Sequence, residues 1–220
     1  PVHIYGLPAN IEAINEICNP LGIPVIEDAA QAVDAMLLGT PVGGGPNLTT
    51  FSFYPTKNLS AMGDAGAILT NSDELAQTIK LLRNHGRGPS GFERVGRNSR
   101  CDHLQAAVLH AKLPRLREWQ NNRIKIAKLY NEEFAGTSLS LIPSEYLERS
   151  AWHLYPVRVE SKEQKVALRE HLTKHGISSA LFYERSLKDE KPFMNCDGDD
   201  TVAKHFADTV ICLPIHPHLG

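Results

Sequence analysis

The stretch that decides the fold is Pro24-Val25-Ile26-Glu27-Asp28-Ala29-Ala30-Gln31. Its first part, residues 24–28, reads as a short buried strand that ends in acidic residues. Further strands are predicted at residues 48–54, which are rich in Thr and Phe, and at residues 65–70. Helical patterns occur at residues 9–19 and from Ser72 to the glycine at position 86. Strands separated by crossover helices predict an α/β domain with a largely parallel sheet.

The chain changes character after a helical middle section. A helix is predicted from Asp102 to Leu113, and Pro114 is well placed to begin the next one. The second of these helices has an apolar stripe formed by Leu116, Trp119, Arg123, Ile126, Tyr130 and Phe134. Three elements are predicted beyond it: a strand at residues 153–160, a helix at residues 161–175 and a strand at residues 177–183. We therefore predict two domains, residues 1–135 and a small α+β domain at residues 136–220.

The composition is that of an ordinary globular protein. Hydrophobic residues make up 42% of the 220 residues and charged residues 22%, and the net charge of -2 reflects 23 basic and 25 acidic residues. This balance gives no electrostatic reason to expect a nucleic acid or a membrane surface as a partner. No apolar run approaches the roughly 20 residues that a membrane-spanning helix needs. A secretion signal is not apparent either, so we predict a cytoplasmic protein.

Several other sequence patterns bear on possible disulfides, nucleotide binding and metal binding. The four cysteines are scattered, which is typical of reduced thiols in a cytoplasmic protein and not of a disulfide framework or zinc site: Cys18, Cys101, Cys196 and Cys212. Gly43-Gly44-Gly45 lacks the Lys-Ser/Thr of a nucleotide loop and is predicted to be a flexible turn. His216 and His218 have no third ligand nearby, so no metal site is predicted. The chain starts at Pro1 without Met and stops without a closing helix, so we expect an internal portion of a longer protein.

Three polar residue types follow the predicted strands. Asp28 ends one strand, and the next strand contains Ser52 and leads to Lys57. The carboxyl ends of strands in an α/β sheet converge on one crevice, so these side chains could share a site. Pyridoxal phosphate needs a lysine amine, a carboxylate at its ring nitrogen and hydroxyl or N–H groups at its phosphate. The residues alone leave open that Lys57 is an exposed surface lysine and that Asp28 only caps a helix.

A resemblance to a known family is carried by five stretches. They are Pro1-Val2-His3-Ile4-Tyr5-Gly6; Glu27-Asp28-Ala29-Ala30-Gln31; Ser52-Phe53-Tyr54-Pro55-Thr56-Lys57-Asn58-Leu59 with Gly63-Asp64-Ala65-Gly66-Ala67; Arg83-Asn84-His85-Gly86; and Gly96-Arg97-Asn98-Ser99-Arg100 with Asp102-His103-Leu104-Gln105-Ala106-Ala107. In wording, order and spacing, the run from Pro1 to about Glu133 resembles the sugar aminotransferases of the DegT/DnrJ/EryC1/StrS family. The resemblance implies part of the large α/β domain of a fold type I pyridoxal phosphate enzyme, followed by a small α+β domain.

The resemblance also implies roles for individual residues. Lys57 matches the family's Schiff-base lysine, which also moves the proton, and Asp28 matches the partner of the pyridine nitrogen. Gln31 matches the residue near the ring hydroxyl, and Ser52 matches a phosphate ligand. Asn98 matches the asparagine that reaches the phosphate of the neighbouring subunit. A homodimer with a shared active site is therefore expected.

The sequence departs from the family pattern at several positions. Val33-Asp34 stands where the family often has His-Gly, Ser60 replaces a common glycine, and Cys101 replaces a usual Leu or Met. Residues 181–187 replace a frequent His-Tyr-x-x-Pro-Leu-His pattern, which leaves substrate handling open. The matched region also lacks the N-terminal third, which in the family supplies a phosphate loop and the aromatic residue stacked on the cofactor ring.

The resemblance predicts a pyridoxal phosphate-dependent aminotransferase that acts on a nucleotide-linked keto sugar, with glutamate as amino donor. The wording of residues 1–9 and 95–100 is similar to members that aminate C3 of dTDP-linked deoxysugars. Three alternatives stay open: a non-catalytic regulatory relative that binds the cofactor, a sugar dehydratase, and a nucleotide-binding α/β module. Related dehydratases have His at the lysine position, so Lys57 favours transamination.

Overall fold

A computed structural model describes residues 1–219. The six α-helices of the described residues are α1 (Ile11–Cys18), α2 (Asp73–Leu82), α3 (His103–Lys112), α4 (Leu116–Glu133), α5 (Lys162–Lys174) and α6 (Thr201–Thr209). The strands of the same region are β1 (Ile26–Asp28), β2 (Met36–Leu37), β3 (Thr40–Pro41), β4 (Leu48–Ser52), β5 (Gly66–Leu69), β6 (Arg87–Gly88), β7 (Gly91–Phe92), β8 (Tyr155–Arg158) and β9 (Val210–Leu213). The strands predicted at residues 24–28, 48–54 and 65–70 are present in shorter form as β1, β4 and β5.

Contacts along the chain define two compact units. The first unit contains Pro1–Asn121 together with Glu148–His153, a segment that follows a 26-residue stretch of the other unit. The second unit contains Asn122–Leu147 and the chain from Leu154 onward. The unit boundary at residue 121 lies within α4. The domain boundary between residues 135 and 136 stays a prediction.

The sheet of the first unit has the strand order β1-β4-β5. Strands β1 and β4 are parallel, with Asp28 level with Thr50, whereas β5 runs antiparallel to β4. Val2 adds one parallel bridge to Asp28 on the other side of β1. Because β1 and β4 run in the same direction, the residues that follow both strands leave the same edge of the sheet.

Side-chain caps explain where three of the helices begin. The side chains of Asn10, Ser72 and Ser161 accept hydrogen bonds from backbone N–H groups of the first turns of α1, α2 and α5. Such bonds satisfy N–H groups that have no partner within the helix. Asp102 lies at the N-cap of α3, but within residues 1–219 its side chain makes no capping bond. Pro114 lies in a 3-10 turn at Leu113–Arg115, and α4 begins after that turn at Leu116.

The core of the second unit lies around β8 and β9, which pair antiparallel. All four residues of β9 are buried, as are the first three of β8. The predicted strand at residues 177–183 is wrong, because only Ala180 pairs there, through two backbone hydrogen bonds with Cys212. The strand signal of this segment came from its apolar composition, which also suits an irregular segment that packs on a sheet edge.

Candidate active site

Asp28 is fixed at the carboxyl end of β1 by hydrogen bonds of both its backbone N–H and its backbone carbonyl. Its N–H donates to the carbonyl of Pro1 at 2.9 Å, and its own carbonyl accepts from the N–H of His3 at 3.0 Å. The side-chain oxygen Oδ1 accepts from the N–H of Ala30 at 2.9 Å. The residue is exposed. A carboxylate is therefore held rigidly at the strand end and stays accessible to a ligand.

Lys57 follows β4 in a tight turn. Its N–H donates to the carbonyl of Tyr54 at 2.8 Å, and the N–H of Tyr54 donates to Ser52 Oγ at 3.3 Å. The lysine side chain is half-buried, and burial lowers the pKa of its amine below the usual value. The negative charge of Asp28 partly offsets this effect and raises the same pKa. Asp28 and Lys57 are therefore close enough to interact electrostatically.

The loop after Lys57 is held from α3. Lys112 donates from Nζ to both the carbonyl and Oγ of Ser60, at 2.8 Å and 3.1 Å. The N–H of Met62 donates to Gln105 Oε1 at 2.8 Å. Ser60, which departs from the family's glycine, thus offers Lys112 a second acceptor. These contacts restrict the loop to one conformation and restrict the position of the lysine within it.

Asn58 connects the lysine loop to a distant part of the chain. Its Nδ2 donates to the carbonyl of Ala151 at 2.5 Å, and its Oδ1 lies 3.4 Å from Nδ1 of His153. Both partners belong to Glu148–His153, which we call the return segment because it rejoins the first unit after Asn122–Leu147. The residue next to the candidate lysine is thereby tied to a segment more than 90 positions away.

Gln31 is oriented by a 3-10 turn near the start of the chain, Ile4–Gly6. Its Oε1 accepts from the N–H of Tyr5 at 2.6 Å, and Tyr5 has a left-handed backbone with φ of 60°. Gly6 follows with φ of 99°, and a Cβ there would lie 3.0 Å from the carbonyl oxygen of Gln31. A side chain at position 6 would also lie within 3.0 Å of two backbone nitrogens of the return segment, Trp152 and His153. Glycine is required by this close approach.

Ser52 and Asn98 occupy different surroundings. Ser52 ends β4, pairs with Gly66 of β5 and lies five residues before Lys57. Asn98 is exposed on the stretch after β7, where its backbone forms a bridge with Asn84. The structure thus groups Asp28, Ser52 and Lys57 at the ends of neighbouring strands. It places Asn98 near the end of α2 instead, because Arg97 and Ser99 on either side donate to carbonyls of Leu82 and Arg83.

A buried polar cluster lies behind Asp28. His3 is fully buried, and its Nε2 lies 2.9 Å from Glu27 Oε2. The other oxygen of Glu27 accepts from Asn47 Nδ2 at 2.8 Å, and Nδ1 of His3 accepts from the N–H of Ala9 at 3.0 Å. Because Nδ1 accepts a hydrogen bond and so carries no hydrogen, Nε2 carries the hydrogen that is donated to the carboxylate. The cluster joins the chain start to β1 on the strand face opposite the Asp28 side chain.

The departure at Val33-Asp34 has a structural counterpart. Asp34 has a positive φ of 67°, which suits the glycine that the family often has there. Its Oδ1 lies 2.9 Å from Nη2 of Arg117, whereas its buried Oδ2 has no hydrogen-bond partner among residues 1–219. Burial raises the pKa of the Asp34 carboxyl, and the charge of Arg117 lowers it in part.

Two cavities of the first unit are lined by residues other than the five predicted site residues. One of about 220 Å³ lies between α1 and the loop after β3, and one of about 670 Å³ lies along β4, β5 and α2. Within residues 1–219, no group of three or more His, Cys, Asp or Glu side chains could hold a metal ion, and all four cysteines are free thiols. Over the same residues, no helix is both long enough and apolar enough to cross a membrane.

The sequence alone does not indicate the residues that support the site, namely His3, Glu27, Asn58, Lys112 and the return segment. A further stretch of the family resemblance, Trp152-His153-Leu154-Tyr155, overlaps the end of the return segment and is the one local signal for it. The other contacts join residues that are far apart in sequence, so no local sequence pattern predicts them.

Comparisons with known proteins agree with this architecture. The family model described as "DegT/DnrJ/EryC1/StrS aminotransferase family" matches residues 1–220. The chain is 39% identical over its whole length to the erythromycin biosynthesis sensory transduction protein EryC1 of Saccharopolyspora erythraea, and covers 61% of that protein. It is 38% identical to the dTDP-3-amino-3,4,6-trideoxy-alpha-D-glucose transaminase of Streptomyces venezuelae, again over the whole chain and covering 58% of the relative.

A solved structure gives the same result in three dimensions. The crystal structure of S. venezuelae DesV in complex with a ketimine intermediate superposes with a TM-score of 0.93 at 37% identity. The match covers 100% of this chain and 60% of that one. The chain therefore spans about three-fifths of the length of the relatives it matches. The α/β fold class, as part of a fold type I aminotransferase, is confirmed.

Proposed function

The chain belongs to the DegT/DnrJ/EryC1/StrS aminotransferase family, and from this premise we propose that its protein is a pyridoxal phosphate-dependent sugar aminotransferase. The substrate we propose is a nucleotide-linked keto sugar whose ketone becomes an amine, with glutamate as the amino donor. Among such sugars we favour a dTDP-linked deoxysugar aminated at C3, since the S. venezuelae relative is named for that class of product.

The observation that carries the proposal is that Asp28 ends β1 and that Lys57 follows β4, the adjacent parallel strand. Burial lowers the pKa of the Lys57 amine, so less free energy is needed to remove its proton. Asp28 presents a carboxylate whose Oδ1 is already held by the N–H of Ala30, which leaves Oδ2 as an acceptor for a ring N–H. An amine and a carboxylate are the groups that the aldehyde carbon and the ring nitrogen of pyridoxal phosphate need, so the chemistry of the residues present fits the cofactor.

The residues of the candidate site would divide the binding and the chemistry among them. When bound, pyridoxal phosphate withdraws electrons from the substrate carbon that bears the nitrogen. Lys57 would hold the cofactor covalently and then, as a free amine, move a proton to and from the substrate carbon. Gln31, oriented by the N–H of Tyr5, would lie at the ring hydroxyl, and the hydroxyl of Ser52 would donate to the phosphate.

Asn98 is proposed to act on the neighbouring subunit of a homodimer. The residue is exposed and lies on the stretch beside the end of α2, where it can reach a second molecule. We propose that it donates to the phosphate bound by the partner subunit. Its place beside the end of α2, and not in the turns that follow β1 and β4, agrees with a role in a second active site.

A regulatory function is the second candidate. One relative, 39% identical to this chain, is named a sensory transduction protein. A regulator of this kind would bind the cofactor without turning over sugar. The retained set of Asp28, Gln31, Ser52 and Lys57 favours catalysis, because binding alone does not need an amine of lowered pKa beside a carboxylate.

The test is to trap the cofactor on its lysine. Pyridoxal phosphate is added to the protein at its full native length, the visible spectrum is recorded, and borohydride reduction is followed by peptide mapping. We expect a visible band and a modified peptide that contains Lys57, both lost in Lys57→Ala. A screen of nucleotide-linked keto sugars with glutamate follows, scored by formation of 2-oxoglutarate.

The outcomes separate the candidate functions. A trapped cofactor with glutamate consumption and an amino sugar supports the proposal. A trapped cofactor without turnover of any keto sugar favours the regulator, and loss of sugar hydroxyl without glutamate consumption favours a dehydratase. Absence of a visible band, or a modified peptide without Lys57, contradicts the proposal and favours a nucleotide-binding module.

A further inference from the structure

The return segment, Glu148–His153, is embedded among elements that precede it by many residues. The carbonyl of Arg149 accepts from the N–H of Met36 at 2.8 Å, and the carbonyl of Ser150 accepts from Gln120 Nε2 at 2.7 Å. Ser150, Ala151 and Trp152 are almost completely buried. A six-residue loop with this many buried backbone bonds is fixed in place by its surroundings.

The segment contacts both sides of the candidate site. On one side, the N–H of Ala151 donates to the carbonyl of Gly6 at 2.9 Å, and Gly6 packs against the backbone of Gln31. On the other side, the carbonyl of the same alanine accepts from Asn58, which directly follows Lys57. Ala151 therefore links the two sides. Its N–H bonds to the backbone that packs behind Gln31, and its carbonyl bonds to the Asn58 side chain beside Lys57.

The chemistry of the Asn58 amide fixes its orientation. A backbone carbonyl can only accept, so Nδ2 faces Ala151 and Oδ1 faces His153. Nδ1 of His153 then carries the proton that points to Oδ1. Asn58 thus has a donor and an acceptor that each meet a complementary group of the return segment, and its side chain cannot be rotated by half a turn without losing both.

We propose that Asn58 is a positioning residue for Lys57 and that the return segment is the fixed point from which it acts. The proposal rests on the proposed function of Lys57 as the cofactor lysine. With the backbone of Lys57 bonded to Tyr54 and the next side chain bonded to Ala151, the direction in which the lysine leaves the loop is set. Misplacement of a reacting group by about 1 Å lowers rates by about 10²-fold.

The alternative is that the Asn58 bonds only stabilise the fold. The two roles give different results, because a stabilising contact changes the free energy of unfolding, whereas a positioning contact also changes the reactivity of the Lys57 amine. Asn131 provides the matched control. Its Nδ2 donates to the carbonyl of Ile142 at 2.9 Å and its Oδ1 accepts from Tyr155 at 2.7 Å, in the second unit.

The experiment compares Asn58→Leu, Asn58→Asp and Asn131→Leu in the protein at its full native length. The first readout is competitive acetylation of the cofactor-free protein across the alkaline range, with the Lys57 peptide quantified by mass spectrometry. We expect both Asn58 variants to change the Lys57 labelling rate by at least about threefold, because its burial and its distance from Asp28 change. Asn131→Leu lowers thermal stability and leaves Lys57 labelling as in the wild type.

The second readout is steady-state kinetics after cofactor loading. We expect kcat to fall by about 10²-fold in the Asn58 variants while KM for the amino donor changes by less than about threefold. Asn58→Asp is expected to be the more severe variant, since a carboxylate oxygen then faces the carbonyl of Ala151. Wild-type Lys57 labelling and wild-type kcat in a folded Asn58→Leu protein would overturn the proposal.

A second pair of variants covers failure of the Asn58 variants to fold. In His153→Asn the amide places an N–H donor near the position of Nδ1, whereas His153→Leu removes the donor. We expect Lys57 labelling to change in the leucine variant and to return towards the wild type in the asparagine variant; equal labelling in both contradicts the proposal. If the wild type traps no cofactor on Lys57, the proposed function fails, and labelling of the cofactor-free protein still decides the role of Asn58.

Discussion

The three-stranded sheet of the first unit, β1-β4-β5, and the β8-β9 sheet of the second unit place their residues by different means. In the second unit, β8 and β9 are buried almost throughout, and Ile211 is 0% exposed. In the first unit, Asp28 ends β1 in solvent, the end of β4 is half-buried, and Ile68 of β5 is 46% exposed. The second sheet is held by packing, whereas the candidate site at the ends of the first sheet is held by hydrogen bonds to backbone atoms.

The difference follows from what each region must do. Packing fixes an apolar side chain by surrounding it, which leaves no space for a ligand. In the proposed function Asp28 and Lys57 stay accessible to a cofactor. Their positions depend on backbone hydrogen bonds, with Pro1 and His3 for Asp28 and with Tyr54 for Lys57. Changes at the site should therefore affect chemistry with little effect on folding, and changes in the second sheet should do the reverse.

Lys57→Ala should have the largest effect and should act on activity alone. Loss of the amine removes both the covalent attachment point and the proton carrier, so we expect kcat to fall by at least about 10³-fold. Burial lowers the pKa of the amine, which means that the charged form is disfavoured in the folded protein. The midpoint of thermal unfolding, measured on cofactor-free protein, should therefore not fall. Full residual transamination would contradict the assignment of Lys57.

Ile211→Ala tests the other side of the comparison, and Ile68→Ala is its control. Both replace a strand isoleucine, but Ile211 is fully buried and Ile68 is 46% exposed. We expect Ile211→Ala to lower the free energy of unfolding by about 2–5 kcal/mol, because a cavity remains where the side chain packed. Ile68→Ala should cost less than about 1 kcal/mol. Urea unfolding followed by far-ultraviolet circular dichroism measures the free energy of unfolding of both variants. Equal losses of free energy would show that the side chain of Ile68 is packed as tightly as that of Ile211.

Local signals in the sequence were sufficient for much of the fold. Ser72 and Ser161 stand at the starts of two predicted helices and cap them, since a capping bond spans only three residues. The strands β1 and β4 appear where β-branched or aromatic residues cluster. The strand predicted at residues 177–183 is wrong, because composition cannot distinguish a paired strand from a segment that touches a sheet at a single residue, here Ala180.

The site could be predicted only in part for the same reason. The residue types at Asp28, Ser52 and Lys57 were visible at the ends of strands, but their roles came from the family resemblance and stay predictions. The contact between Asn58 and Ala151 spans 93 positions, so it depends on how the whole unit folds. The bond from Lys112 to Ser60, which are 52 positions apart, also depends on how the whole unit folds. Contacts of this kind leave no periodic pattern in one sequence.

Tyr155→Phe should show how packing and hydrogen bonding combine in the second unit. The buried phenol donates to Asn131 Oδ1 at 2.7 Å, and we expect its removal to cost about 0.5–1.5 kcal/mol. Burial raises the pKa of Tyr155 well above its usual value, and the neighbouring Tyr130 adds to this.

The raised pKa of Tyr155 gives this variant a pH signature. Because the folded pKa exceeds the unfolded one, the contribution of Tyr155 to stability is complete below about pH 10 and is lost as pH rises towards the folded pKa. The difference in free energy of unfolding between wild type and Tyr155→Phe should therefore shrink in alkaline solution. A difference that stays constant from neutral to alkaline pH would mean that the phenol is not buried as described.

Asp34→Gly should have the smallest effect and tests whether a departure from the family pattern strains the first unit. The aspartate has φ of 67° and a buried oxygen without a partner in the described chain, whereas its ion pair with Arg117 is largely exposed on the arginine side. Glycine adopts this backbone without strain, and an exposed ion pair contributes little. We expect Asp34→Gly to raise the free energy of unfolding at neutral pH by about 0.5–1 kcal/mol.

The pH dependence of Asp34→Gly separates strain from charge. Burial raises the pKa of the Asp34 carboxyl, so the folded wild type gains stability from protonation as pH falls through that pKa. The advantage of the glycine variant should therefore be largest at neutral pH and smaller in acid, below the ordinary carboxyl pKa. If the advantage instead stays the same at every pH, backbone strain alone explains it. A loss of stability at neutral pH would show that the bond to Arg117 outweighs both the backbone strain and the cost of burying the Asp34 charge. An ion pair with an exposed arginine would then be sufficient to fix a loop of the first unit.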